Sequence, residues 1–408
     1  MVTLEEVRAW DADDPLGQYR NQFVIDDPDV SYLVGNSLGR LPKGSITAAQ
    51  DFLTKEWGAK VVAGWYDWIN ESQKTGDLIG RAALGAAADQ VVCVDNTSVN
   101  FYQLCKAAID ASPGRRTVIT DTENFPTDRY VLEGICEDAG LKLVMINDEA
   151  GQEFITPQVL QEHLNDDVAL VTFSVVQYRS GALHDVPALT RLSHAAGAKV
   201  VWDASHAVGV VPLNFDRDDI DGAVGCTYKY GNSGPGAPAW LYVNKRCQEQ
   251  WRVPIQGWFA QEDMFKMGPK FKRASGMTGY RIASPSIVGL RFVQQSFQMI
   301  EAAGIANIYQ KANRGTDLML ELFDQWLAPL GFGVTTPRAA NERGGHLALT
   351  HPRASEIVRE GIKQKVLADF RNPDSIRVAF SPLTTSYEEA YVGLSRIREI
   401  AADLLEQA

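Results

Sequence analysis

The sequence predicts an α/β protein, with a large domain built on a mainly parallel seven-stranded sheet and a smaller α+β domain at the C-terminus. Three observations lead there. Between about residue 90 and residue 245, short apolar runs alternate with helical patterns, the signature of βαβ units. After "SPSIVGLRFVQQSFQMIEAAG" the texture changes, and short strands interleave with longer helices. The 408 residues are 45% hydrophobic and 22% charged, enough for one large core and a second, smaller one. The expected divisions are residues 1–45, an N-terminal segment serving the active site and small domain; 46–290, the large domain; and 291–408, the small domain.

Taken in order, "SITAAQDFLTKEWGAKVVAGW" carries a helical pattern, with Ser45 as the expected N-cap. "QVVCV" is a strand leading into the helix "TSVNFYQLCKAAID". "RTVIT" and "KLVMI" are strands ahead of "TPQVLQEHL"; "ALVTFSVV" leads to the helix "VPALTRLSHAAG", and "KVVWD" follows. "DGAVGCT" and "PAWLYV" supply two more strands. A long helical stretch spans roughly residues 305–328. "HLALTH" and "SIRVAF" then alternate with "ASEIVREGIKQKV" and "YEEAYVGLSRIREIAADLLEQ".

Composition excludes several classes. The net charge of -12 offers no basic field for nucleic acid. The longest apolar run, "VALVTFSVV", is too short to span a bilayer, and the acidic start "MVTLEEVRAW" lacks a signal-peptide core, so no membrane partner is expected. The five cysteines are odd in number and scattered, which reads as reduced thiols of a cytoplasmic protein. The six histidines have no metal-ligand spacing, so no metal is expected.

The chemistry centres on "GCTYKYGNSGPGAPAWLYV". Lys229 follows an apolar strand, and lysine is seldom buried without a partner. "VVWDASH" places Asp203 at another strand end with His206 one turn beyond, and "VDNTSVNF" places Thr97 and Ser98 between a strand and a helix. In an α/β sheet ligands collect at the carboxyl ends of strands. Taken singly, these residues read as a solvated lysine, a helix cap and a core histidine. Together they suit pyridoxal phosphate. A desolvated lysine forms a Schiff base with an aldehyde, a carboxylate protonates the pyridine nitrogen, and hydroxyls at a helix N-terminus hold phosphate.

With these residues set out, the chain resembles the kynureninases, fold-type-I pyridoxal-phosphate enzymes of the aspartate-aminotransferase structural class. The resemblance runs in order through "YLVGNSLGRLP", "DNTSVNFYQL", "NFPTDRY", "YRSGALHDV", "WDASHAVGVVPL", "GCTYKYGNSGPGAPAWLYV", "GWF", "GYRIASPSI" and "ADFRNPDSIRVAFSPL". Length and Trp65 fit the bacterial type. The resemblance implies that Lys229 holds the cofactor and moves the substrate α-proton, that Asp203 pairs with the pyridine nitrogen, and that Tyr228 takes part in proton transfer. It implies cofactor contacts from Thr97, Ser98, Phe125, Asp128, Ser174, Asp203, His206, Tyr228 and Lys229, with Trp258 and Ser284 given by the neighbouring subunit. Ser37, Trp65 and Arg377 would meet the substrate. Arg377 inside an apolar strand needs an anion, either the substrate carboxylate or an internal salt bridge.

The implied reaction is hydrolysis of L-kynurenine to anthranilate and L-alanine, a carbon–carbon bond hydrolase of tryptophan catabolism leading toward NAD biosynthesis, in a homodimer with shared sites. Gly231, Ser233, Ser284 and Gln177 depart from the family's usual residues near the site. A relative acting on 3-hydroxykynurenine or another substituted kynurenine, a cysteine-desulfurase-type lyase and a non-enzymatic binding protein remain as alternatives.

Overall fold

Each of the seven apolar runs between residues 90 and 245 forms a strand of one sheet. A computed structural model of the chain describes residues 2–147 and 153–406. The strand order is Val91–Cys93, Trp240–Val243, Gly222–Gly225, Lys199–Asp203, Val168–Ser174, Thr117–Asp121, Lys142–Ile146. Only Trp240–Val243 runs against the rest, because its loop returns it directly onto Gly222–Gly225, with Gly222 opposite Val243. Helices cover both faces. Alternate residues therefore enter different cores: Val171, Val200 and Trp202 join one apolar cluster, and Leu170 and Val201 another. Burial on both faces is why the central strand Val168–Ser174 is buried throughout and reads as a continuous apolar run.

Helix starts follow local chemistry. Asn96 accepts a bond from the Val99 N–H ahead of Thr97–Asp110, and Asp185 accepts one from Ala188 ahead of Val186–Ala195. Pro126 opens the helix Pro126–Ala139, which Gly140 closes with φ 62°. Ser45 corrects one expectation. The helix begins at Lys43 with Pro42 at the cap, and Ser45 is buried inside the first turn with its hydroxyl unpartnered. The fixed φ of proline sets the boundary ahead of the serine.

Toward the C-terminus, a four-stranded antiparallel sheet has the order Asp369–Arg371, Ser375–Ala379, His346–Thr350, Gly333–Val334. Its register separates two faces. Leu347, Leu349, Ile376 and Val378 pack with Leu394 and Ile397 of the helix Tyr387–Glu406. His346 opposes Ala379, and Arg377 opposes both Ala348 and Asp369, so these polar residues share the other face. The N-terminal segment belongs with this sheet: Val7 and Leu33 enter its core, and Ser31–Tyr32 pairs in parallel with Val366–Leu367. The helix Ile287–Ala303 instead packs its apolar face into the core of the large sheet.

Candidate active site

The parallel strands deliver Asp121, Ser174 and Asp203 to one edge of the large sheet, and the chain leaving Gly225 brings Lys229 to the same edge. Lys229 is buried without a carboxylate partner: its Nζ lies 3.0 Å from His206 Nε2, 3.2 Å from His206 Nδ1 and 5.7 Å from the centre of the Phe125 ring. Burial lowers the lysine pKa below its ordinary value, against opposing charge from Asp203 and Asp128. Burial first, then Lys229, holds His206 well below the usual histidine range, so its ring is neutral. The turn after Asp203 fixes that histidine, because Asp203 Oδ1 accepts the Ser205 N–H at 2.8 Å.

Asp128 and Asp203 are both buried and interact directly. Burial, reinforced by the Asp203 charge, pushes Asp128 well above the carboxylate range, so Asp128 favours its protonated form. Asp128 Oδ2 has no protein partner. Phe125, at the cap of the Asp128 helix, packs edge-on against Tyr178 at 5.3 Å. Ser174 is committed inward, donating to Asn124 Oδ1 at 2.7 Å, and Asn124 also accepts the Phe125 N–H at 2.8 Å.

Thr97 and Ser98 occupy the first turn of their helix, where backbone N–H groups lack intrahelical acceptors. Tyr228 is half-buried beside Cys226, and that neighbour, then burial, raises its phenol pKa. The phenol therefore keeps its proton at neutral pH. Gly39 reaches this loop directly. Its N–H donates to the Tyr228 carbonyl at 2.8 Å, and a Cβ at Gly39 would lie 2.4 Å from the Lys229 carbonyl. Gly231 is equally constrained: an added Cβ would lie 2.3 Å from the Thr227 carbonyl, so a larger residue does not fit this loop. Gln177 donates to Asp121 Oδ1 at 3.0 Å, and burial raises Asp121 to about 7.

Arg377 makes the internal salt bridge. Its Nε donates to Asp369 Oδ1 at 2.7 Å, its Nη2 to Asp369 Oδ2 and, at 3.0 Å, to Ser37 Oγ, and its Nη1 to the Tyr178 carbonyl at 2.6 Å. Ser37 in turn donates to Asp369 Oδ2 at 2.6 Å. Trp65 is placed elsewhere. It packs on Trp68 and Phe259, and with Trp258 it lines an apolar cavity of about 350 Å³. Trp258 is 40% exposed, and Ser284 is exposed. Among the described residues, the structure brings Phe125, Asp128, Asp203, His206 and Lys229 into one cluster. Trp65, Trp258 and Ser284 do not join it.

The profile described as the kynureninase C-terminal domain matches residues 308–397. A curated kynureninase from Pseudomonas fluorescens is 33% identical over 408 residues, covering 98% of this chain and 96% of its own. This chain belongs to the kynureninase family. Two solved structures share the fold. A cysteine desulfurase from Thermococcus onnurineus NA1 has TM-score 0.79 and 18% identity, with 99% of each chain covered. A C-DES lysine variant with glycine covalently linked to its pyridoxal-phosphate cofactor has TM-score 0.79 and 17% identity, covering 93% of this chain and 99% of its own.

The residues present fit the pyridoxal phosphate of kynureninases. A buried amine in no ion pair among the described residues, a buried pair of aspartates with an unpartnered Asp128 oxygen, and two hydroxyls at a helix start that bond to no described protein group are the groups it requires. The desulfurase alternative finds no support in the thiols. All five cysteines are buried, and burial raises the pKa of each, so none presents a thiolate. His346, Asp369 and Arg371 were not singled out from the sequence, although Asp369 and Arg371 lie in the quoted "ADFRNPDSIRVAFSPL". The polar–apolar–polar alternation of Asp369, Phe370 and Arg371 was the available signal that two charges share the face of Arg377.

Proposed function

We propose the following residue roles for PLP-dependent hydrolysis of L-kynurenine to anthranilate and L-alanine, the reaction of the family to which the chain belongs. Pyridoxal phosphate, when bound, supplies the aldehyde and the electron sink. Lys229 is the amine that holds it and then moves the proton at the substrate α-carbon; low proton affinity at this buried site suits both tasks. Asp203, beside the protonated Asp128, would pair with the pyridine nitrogen. Phe125 and His206 would hold the ring, and Ser174 fixes Asn124 next to Phe125. Thr97, Ser98 and Tyr228 take the phosphate. Tyr228, held protonated, also donates a proton when water adds at the substrate γ-carbonyl and the Cβ–Cγ bond breaks. Arg377 receives the α-carboxylate, and Ser37 lines the substrate pocket beside it.

The assembly is a cytoplasmic homodimer with shared sites, in which Trp258 and Ser284 serve the partner's cofactor. Trp65 lines the same cavity as Trp258, so Trp65 crosses with it and offers the substrate ring a broad apolar face. Such a face gains nothing from an added hydroxyl and rejects it by at most about 10²-fold. L-kynurenine is therefore preferred over 3-hydroxykynurenine. The observation that carries these roles is Lys229, buried beside a neutral imidazole and in no ion pair among the described residues. Borohydride treatment of the PLP-loaded protein should fix the cofactor on Lys229, read by peptide mass, in a preparation that releases fluorescent anthranilate from kynurenine. Modification at another lysine would refute the assignment.

A further inference from the structure

We propose that Arg371 is a second substrate-carboxylate residue, supplying the unbalanced positive charge and the donors that Arg377 lacks. The inference rests on the reading that Arg377 faces the substrate α-carboxylate. A guanidinium carries five N–H donors. Arg377 has committed four: Nε and one Nη2 hydrogen to Asp369, the other Nη2 hydrogen to Ser37, and one Nη1 hydrogen to the Tyr178 carbonyl. A carboxylate that accepts two bonds finds only one free donor there. The charge is likewise spent, because Asp369 lies against Arg377 and, despite burial, stays below the usual carboxylate range through its bonds to that arginine. His206 and His346 behind the pair are neutral, each with its pKa lowered first by burial.

Arg371 restores both quantities. The strand register places it two residues beyond Asp369 on the same face, and its Nη2 reaches Asp369 Oδ2 at 3.1 Å. Among the described residues its one other bond runs from Nη1 to the Phe370 carbonyl at 3.2 Å, which leaves three of its donors uncommitted to them. Its side chain is 43% exposed, whereas that of Arg377 is 2% exposed, so Arg371 stands on the solvent side of the pair. Two guanidinium charges against one carboxylate leave the group at +1 before substrate arrives and neutral afterwards. Its charge also acts on His206, which ties it to the Lys229 cluster.

The test uses the PLP-loaded enzyme and two probes, L-alanine, which carries the carboxylate, and ethylamine, which does not. Arg371→Met should raise the KM for L-kynurenine and the Kd for L-alanine about tenfold, the scale of one charged contact. The kcat and the ethylamine Kd, read from the cofactor absorbance, should stay within about twofold. Arg371→Lys should recover most of the loss, which a merely structural role would not produce. An Arg371→Met protein with unchanged KM and L-alanine Kd overturns the inference if Arg377→Lys still loses L-alanine selectively. If Arg377→Lys is silent as well, the Arg377 reading itself falls.

Discussion

The Lys229 cluster and the Trp65–Trp258 cavity make an instructive contrast. Around Lys229 the polar groups are buried and each is fixed by a second residue, His206 by the Asp203 turn and Arg377 by Asp369, while the more exposed Phe125 is held by its backbone bond to Asn124. Around Trp65 the aromatics face outward. Trp57, Tyr66, Trp258 and Phe265 are all exposed, and the cavity wall is almost wholly apolar. Large exposed apolar patches mark surfaces that meet something else. The residues of the first region come together within one chain, and the second gains its meaning, on the proposed reading, from another copy of the chain.

The strongest way to break this contrast is to remove the centre of the closed region. Lys229→Ala should reduce anthranilate release by more than about a thousandfold. Retention of substantial activity would show that the buried amine is not the one that matters.

Mixing variants tests the open region. Trp65→Ala and Trp258→Ala proteins, each impaired alone, should stay impaired when their subunits exchange. If Trp65 and Trp258 both serve the partner's site, every site of a mixed dimer lacks one of them. Recovery of activity on mixing would place Trp65 in the site of its own chain. As a positive control, Lys229→Ala mixed with Trp258→Ala should regain activity.

A smaller effect is expected on substrate choice. Trp65→His should narrow the ratio of kcat/KM between L-kynurenine and 3-hydroxykynurenine by less than about tenfold. A wider ratio would mean that Trp65 does not face the ring.

The smallest effect concerns stability in the closed region. Asp121 has its pKa raised to about 7 by burial, above the ordinary value of 3.8. The folded state therefore favours the protonated acid, and stability is lost as pH rises from about 4 through 7. Asp121→Asn keeps an acceptor for Gln177 and removes that loss. The Tm of the variant relative to the parent should rise from pH 5 to pH 8. A difference that does not vary with pH would show that Asp121 is ionised in the fold.

Legibility in the sequence divides along the same line. The inner strands of the large sheet could be read because burial on both faces makes them apolar runs, and the edge strand Lys142–Ile146 is apolar though only partly buried. Ser31–Tyr32, Gly333–Val334 and Val366–Leu367 are two residues each, too short to carry a period. The grouping of Trp65 with Trp258 was hidden because their segments lie far apart in the chain, and no periodicity within either one reports the other. Arg377 drew notice as a charge in an apolar strand. The residue that neutralises it, Asp369, sits in a neighbouring strand of three residues, whose alternation is convincing only when the pairing with Ser375–Ala379 is known.

The N-terminal ribbon around residues 31–42 touches both sheets. It pairs with Val366–Leu367, bonds Asp369 through Ser37, and closes against the Tyr228 and Lys229 carbonyls at Gly39. It is in effect a tie-rod anchored at either end. Any swing of the small sheet toward the large one would load these residues together with the bonds that Glu342, Gly344 and Arg377 make to the large-sheet side, and a tag or fusion is better joined ahead of residue 31 than inside the ribbon.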